Sequence, residues 1–499
     1  MVTVENDRGG SAEIRADVCV VGAGIAGLNA LWVAAQYLGP DQTAVLVDRN
    51  DRPGGMWVNT YDYVRLHQPH PFFTTGNVAW TIDKPPEYLA DKGEVLDHLR
   101  HCLDEIKKKT TVVELFGHEL EQHDEVDGTV RVVCRGADGQ RVTVVADRLV
   151  KAVGLSVETN PALALSSTAV HSVSPDFCDM RDGGIAQDSA PVWIVGGGKT
   201  AMDTALALVT AQPGRSVNLL AGAGTFFSRR DYFFATGGAR WWRRTLAVRH
   251  FAMMADAFDG TNAQEVLDAT HRRFGHAVTE RADRYIFGLL GDDEARQIRA
   301  GLDQVRLDYL VDAVDTSEGV ELRLRSGEVV PVEPGTWVVN CTGYLNGRED
   351  NVHEPYVSES GRTVVIGRTP MFGFTSFAGY FLTHLAFLDK ITEVPLYQLD
   401  GDDLLLKSKA AFSAAAATLV QYNLGLVLDA VPRSVFATFG LDFNLWYAPP
   451  RTLVDTLRFV VAHKRKRPAY QAALDTMATT YDVRCGPVEV FRTSVATGS

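Results

Sequence analysis

The 499-residue chain is 46% hydrophobic and 22% charged, the balance of an ordinary folded protein with core enough for two or three domains. Its formal net charge of −13 argues against nucleic acid or an anionic membrane surface as a bulk electrostatic partner. Six scattered cysteines without a C-x-x-C pair suggest no disulfide framework or zinc site, and no chemistry that needs vicinal thiols.

The polar leader with Glu5, Asp7 and Arg8 lacks the apolar centre of a signal peptide, so a cytoplasmic protein is expected. Residues 16–21 form an apolar run suited to a buried parallel strand. The glycine-rich turn 22–27 then leads into a helix over 25–38, and the run 44–47 ends at Asp48, which completes a βαβ unit. Alternation across 112–150, with Asp-Gly at 127–128 and 138–139, predicts hairpins. The polar stretch 172–190 reads as a linker, and a second βαβ unit starts at 191–195. Between 226 and 304 the pattern is helical and rich in arginine and aromatics. Strand character returns at 320–330 and 336–340, and from about 380 the chain is helical. The apolar stretch 410–431 is interrupted by Gln421, Asn423 and Asp429, so it reads as a buried or interface helix and not a membrane span.

The first glycine loop is a dinucleotide fingerprint. Gly22 allows a tight turn, Gly24 lets a pyrophosphate approach the backbone, and Gly27 permits close helix–strand packing. Ile25 and Ala26 begin the helix, whose N-terminus supplies positive potential for phosphate. Asp48, followed by Arg49, stands at the usual distance for a carboxylate that binds ribose hydroxyls. Shortly after, Gly54 and Gly55 let the backbone pass close to a flat ligand beside Met56 and Trp57.

The Gly54-Gly55-Met56-Trp57 element resembles the GGxW of the class B flavin-dependent monooxygenases. Tyr61-Asp62-Tyr63-Val64-Arg65-Leu66-His67-Gln68-Pro69 is similar to a stretch of the plant YUCCA-type enzymes that runs beside the flavin ring. The resemblance makes the first cradle an FAD site. It makes Arg65, His67 and Gln68 flavin contacts, with His67 and Gln68 as the candidates for control of the oxygen chemistry.

The second loop, Gly196-x-Gly198-x-x-Ala201, is the variant in which alanine takes the packing position, and Lys199 and Thr200 open its helix where they can donate to phosphate. The next strand ends in Ala221-Gly222 without an acid, which favours NADPH over NADH, and Arg229 and Arg230 beyond it can hold the 2′-phosphate. The Arg240–Arg244 cluster reads as an inter-domain or cofactor-side surface. Asn340-Cys341-Thr342-Gly343-Tyr344 resembles the family's return element to the flavin domain, with Cys341 a small buried filler. Thr375 or Ser376 is placed to cap a helix that faces the flavin. The family's linker motif survives only at His171 and Ser172, which disfavours ketone-to-ester chemistry.

The expected fold is α/β, with two Rossmann-like dinucleotide domains of the three-layer β/β/α type. The FAD domain (12–185 and 330–395) is interrupted by the NADPH domain (186–329), and a helical region (396–499) follows. By resemblance, NADPH reduces the flavin and oxygen adds at C4a. The oxygen then passes to a small molecule at a soft nitrogen or sulfur, or to an α-keto acid. A Baeyer–Villiger enzyme or an electron-transfer reductase serving a partner protein are the alternatives. Nucleic acid and a metal are not expected, and a homodimer is left open.

Overall fold

The computed structural model describes residues 4–6, 12–154, 159–242, 246–343, 353–368 and 370–492. Tyr344, Arg243 and Arg244 of the elements above lie outside these.

The first sheet is built around the strand Ala12–Val21, which pairs in parallel with Thr43–Asp48 on one side and Arg141–Lys151 on the other. Val18 to Val21 and Ala44 to Val47 are buried, as a strand covered on both faces must be. Thr111–Phe116 extends the parallel part beyond Thr43–Asp48, so it does not belong to the predicted hairpins. The hairpins are made by His118–Val126, Thr129–Gly136 and Arg141–Lys151, which pair antiparallel. Their first turn has positive φ at both Asp127 and Gly128, the geometry that matches strand twist. Thr363–Val365 pairs in parallel with Arg141–Lys151 and returns the chain to this sheet.

The second sheet is wholly parallel, in the order Gln304–Arg306, Val217–Leu220, Val192–Val195, Trp337–Asn340, His171–Val173. It therefore takes strands from both sides of 186–329. The supposed linker contributes its edge strand, which pairs in parallel with Trp337–Asn340. A three-stranded antiparallel sheet, Leu310–Thr316, Gly319–Leu324 and Val329–Val332, covers one face of it.

Between Val217–Leu220 and Gln304–Arg306, residues 226–301 make a small sheet (Phe226–Arg229, Gly275–Ala277, Leu289–Leu290) and the helices Ala247–Ala257 and Ala263–Phe274. These helices pack on the C-terminal helices Lys409–Ala430 and Pro449–Tyr481. Met254, Val266 and Leu267 share one apolar core with Ala414, Leu474 and the first domain. Lys409–Ala430 is long and apolar enough to cross a membrane, yet it is mostly buried here as a core helix.

Candidate functional site

Steric crowding explains the glycines of the first cradle. A Cβ on Gly27 would stand 1.7 Å from the Gly22 carbonyl oxygen, and one on Gly22, at φ +106°, would stand 2.2 Å from that of Ala152. Gly54 donates its N–H to the Ala23 carbonyl at 3.0 Å, which draws Gly55 across the loop until its ideal Cβ is 2.8 Å from Gly24 Cα. The two glycine elements thus form one backbone cradle, which side chains would fill. Ile25–Ala34 starts at Gly24 without a side-chain cap, so its first N–H groups and its positive end are available to an anion. Asp48 is buried. Its Oδ2 accepts from Ala23 N–H at 2.5 Å and its Oδ1 from Asn50 N–H at 2.8 Å, so the carboxylate ties the loop before it meets any ribose. Arg49 and Met56 are exposed, and Trp57 packs edge-on to Phe73 with centroids 5.5 Å apart.

The helix Thr375–Phe387 lies along Ile25–Ala34, close enough that a Cβ on Gly379 would be 2.3 Å from the Ala26 carbonyl oxygen. Its N-cap is Phe374, with no side-chain cap. This corrects the expectation for Thr375 and Ser376, which are the first helical residues and do not cap. The chain arrives in extended backbone one residue earlier, and the free N–H groups of the first turn remain.

In the second cradle a Cβ on Gly196, at φ +131°, would be 2.4 Å from the Cys341 carbonyl oxygen, while Gly198 faces open space. That opening lies at the N-terminus of Lys199–Ala211, where a phosphate can reach the backbone. Lys199 Nζ is paired with Asp203, which also accepts from Tyr61 Oη at 2.9 Å. Tyr63 Oη lies 2.7 Å from Thr204 Oγ1, so the Tyr61–Tyr63 segment bolts the flavin-side loop to the nicotinamide helix. Thr200, half-buried, opens that helix.

Arg229 and Arg230 are both ion-paired. Arg229 makes a bidentate contact to Asp292 at 2.9 and 2.8 Å, and Arg230 pairs with Glu294 at 2.7 Å. Both acids open the helix Asp292–Gly301, and no local pattern in the sequence announces a partner sixty residues away. The end of the strand Val217–Leu220 instead meets Tyr309, whose ring would lie 3.0 Å from a Cβ on Gly222. Arg284 donates to Tyr309 Oη at 2.6 Å, and Arg325 stands 4.1 Å above the ring. Lys409 is close by, and burial together with the Arg284 charge lowers its ammonium to about 8. The adjacent Asp308 accepts the backbone N–H groups of Tyr309 and Ser326.

His67 and Gln68 meet elements of the 226–289 insertion and the C-terminal region at an aromatic pocket of about 430 Å³, its open mouth included. Phe233, Phe234, Phe251, Phe287, Phe374 and Phe443 make up half of its lining residues. His67 Nδ1 accepts the Leu289 N–H at 3.3 Å, which sets its proton on Nε2 and favours the neutral ring. Burial, with the Lys199 and Arg230 cations beyond, lowers its pKa to about 3. Gln68 is buried, and its Oε1 has no hydrogen-bond partner. Arg65, in contrast, is exposed and donates to the Leu89 carbonyl at 3.1 Å. His171 is exposed at the start of its edge strand.

All six cysteines are free thiols. Burial pushes Cys341 up to about 12, and it donates to Thr204 Oγ1 at 3.4 Å, as a packing residue.

Two glycine cradles, each where a buried parallel strand runs into a helix, have the geometry of two dinucleotide-binding sites. Residues 16–235 match the family model described as pyridine nucleotide-disulphide oxidoreductase. An uncharacterized protein of Mycobacterium tuberculosis (strain H37Rv) is 28% identical over 216 residues, covering 40% of this chain and 37% of the relative, so the alignment spans little more than a third of that protein's length. A counterpart in Mycobacterium bovis aligns with the same figures. Among solved structures, a flavin-containing monooxygenase from Stenotrophomonas maltophilia is 14% identical over 70% of this chain and 90% of its own, with a TM-score of 0.44. A bacillithiol disulfide reductase from Staphylococcus aureus is 12% identical over 76% and 99%, with a TM-score of 0.45. A cyclohexanone monooxygenase variant from Rhodococcus sp. Phi1 bound to NADP+ is 13% identical over 75% and 85%, with a TM-score of 0.48. Identities this low concern the fold only.

Proposed function

We propose that the protein is an NADPH- and oxygen-dependent flavin monooxygenase acting on a small organic molecule. The observation that carries this reading is the aromatic pocket at His67, Gln68 and Phe374. It adjoins the N-terminus of Thr375–Phe387, the helix packed along the first cradle, and it contains no thiol. A disulphide-reducing site needs a reactive thiolate. Here every cysteine has its pKa raised, chiefly by burial. An apolar wall suits a reaction in which water must be kept from reactive oxygen.

When bound, FAD would accept hydride from NADPH and activate dioxygen. The chain's own residues supply the rest. The backbone at Gly22–Gly27 and Gly54–Gly55 holds the pyrophosphate end, and Gly198 opens the second cradle to the dinucleotide phosphates. Tyr309 with Arg284 and Arg325 would receive the 2′-phosphate, a role the sequence had assigned to Arg229 and Arg230. His67, neutral and fixed by Leu289, presents Nε2–H and adds no charge to the pocket. The net reaction consumes NADPH, a proton and O2, and yields NADP+, water and the substrate carrying one oxygen atom.

The test is product analysis under 18O2 with NADPH and purified holoenzyme, across amines, sulfides, phenols, ketones and keto acids. One labelled oxygen in the product per NADPH consumed is the expected result. Stoichiometric hydrogen peroxide with no product, or electrons passing only to an added protein acceptor, would refute the reading.

A further inference from the structure

The lining of the aromatic pocket carries information about what enters it. None of its lining residues, all among the described ones, is Asp, Glu, Lys or Arg. Its two histidines are neutral at physiological pH, since burial lowers both His67 and His250 to about 3. The neighbouring cations are each neutralised by an acid, Lys199 by Asp203 and Arg230 by Glu294, although Arg230 Nη1 has no hydrogen-bond partner. An ionised substrate would therefore give up its water without gaining a counter-charge, which is among the costliest events in binding.

The polar groups that remain are few and connected. Ser228 Oγ lies 2.7 Å from Tyr285 Oη, and Tyr285 Oη lies 3.2 Å from His250 Nε2. All three side chains line the pocket and are buried. The proton order that leaves fewest groups unpaired runs from Ser228 to Tyr285 to His250 Nε2. It places the remaining proton on His250 Nδ1, which has no partner. Gln68 Oε1 is the second unpartnered polar atom of the lining. One buried donor and one buried acceptor are left for a ligand to satisfy, inside a wall of phenylalanines.

Resting on the monooxygenase reading, we infer that the substrate is a flat, uncharged aromatic molecule carrying a group that accepts a hydrogen bond, such as a phenolic hydroxyl or a secondary amide. Its ring stacks among Phe233, Phe251, Phe287 and Phe443. Its polar group accepts from His250 Nδ1–H. Carboxylates such as α-keto acids, and amines that are protonated at neutral pH, are poor ligands of this pocket.

The test uses oxidised holoenzyme and the flavin difference spectrum as the binding signal, so it does not depend on turnover. The ligands are p-cresol, toluene, phenylpyruvate and phenethylamine. p-Cresol is expected to bind at least about tenfold more tightly than either charged compound. His250→Phe keeps the ring volume but removes the donor. It is expected to weaken p-cresol by about tenfold while leaving toluene within about threefold. Charged ligands binding as well as p-cresol, or a His250→Phe variant that weakens toluene and p-cresol alike, would overturn the inference. If p-cresol binds as expected but NADPH and O2 yield only peroxide, the monooxygenase reading falls and the pocket assignment stands.

Discussion

Replacing Arg284 by alanine separates the recognition of NADPH from that of NADH. Two cations bracket the Tyr309 ring at the end of Val217–Leu220. One is Arg284, whose guanidinium donates to the hydroxyl at 2.6 Å, and the other is Arg325, 4.1 Å above the ring. Neither touches a carboxylate within ion-pair distance among the described contacts, so each can turn to a phosphate. A charge-assisted hydrogen bond to a phosphate oxygen contributes roughly 1.5–3 kcal/mol, or about 10- to 150-fold in affinity. Arg284→Ala should therefore raise the Kd of NADPH by one to two orders of magnitude and leave NADH, which lacks the phosphate, within about threefold. Arg229→Ala, made in parallel, should change neither, since Asp292 already holds its Nε and Nη2 and the exposed pair contributes at most about 1 kcal/mol to stability. The assay is quenching of flavin or tryptophan fluorescence titrated with each dinucleotide. Equal weakening of NADPH and NADH by Arg284→Ala would refute the placement, as would a loss of NADPH affinity that follows Arg229.

Gly27→Ala puts a methyl 1.7 Å from a backbone oxygen that cannot rotate away, so the variant should be recovered without the visible absorbance of bound flavin or not fold at all; a yellow, stable protein would contradict the crowding argument. His353 offers a test of stability against pH. Burial opposes its charge, but Asp400 at 2.9 Å and Asp402 at 3.3 Å lift its pKa to about 9. The raised folded value means that its contribution, of order 2–3 kcal/mol, is full below about pH 6.5 and is lost as pH rises through about 9. His353→Gln should accordingly lower Tm at pH 6 and flatten the decline of Tm between pH 6.5 and 9; an unchanged slope by differential scanning fluorimetry would remove His353 from that role.

What was legible in the sequence is what short chain segments decide by themselves. The positive φ of Gly22 and Gly196 and the crowding of Gly27 on Gly22 belong to turns of a few residues, and the apolar runs beside them have nowhere to go but a doubly covered sheet. Cys341 could be read as a buried filler because it stands in a strand-end motif. What the sequence could not show is long-range partners. Arg229 and Arg230 looked available until Asp292 and Glu294 arrived from another helix. Thr375 and Ser376 looked like caps, but where a helix begins depends on the angle at which the chain enters it, and that angle is set by packing at Gly379 and Ala26.

By itself, then, the sequence determined two dinucleotide cradles, their order and the chemistry of their backbone, since glycine placement and strand hydrophobicity act within about thirty residues. Only the tertiary structure decided which arginines are free, where His67 and Gln68 lead, and that the 226–289 insertion and the C-terminal region close one neutral aromatic pocket between them. Those outcomes depend on which surfaces are buried together, and burial removes a charge or orphans a polar atom only after distant segments have met.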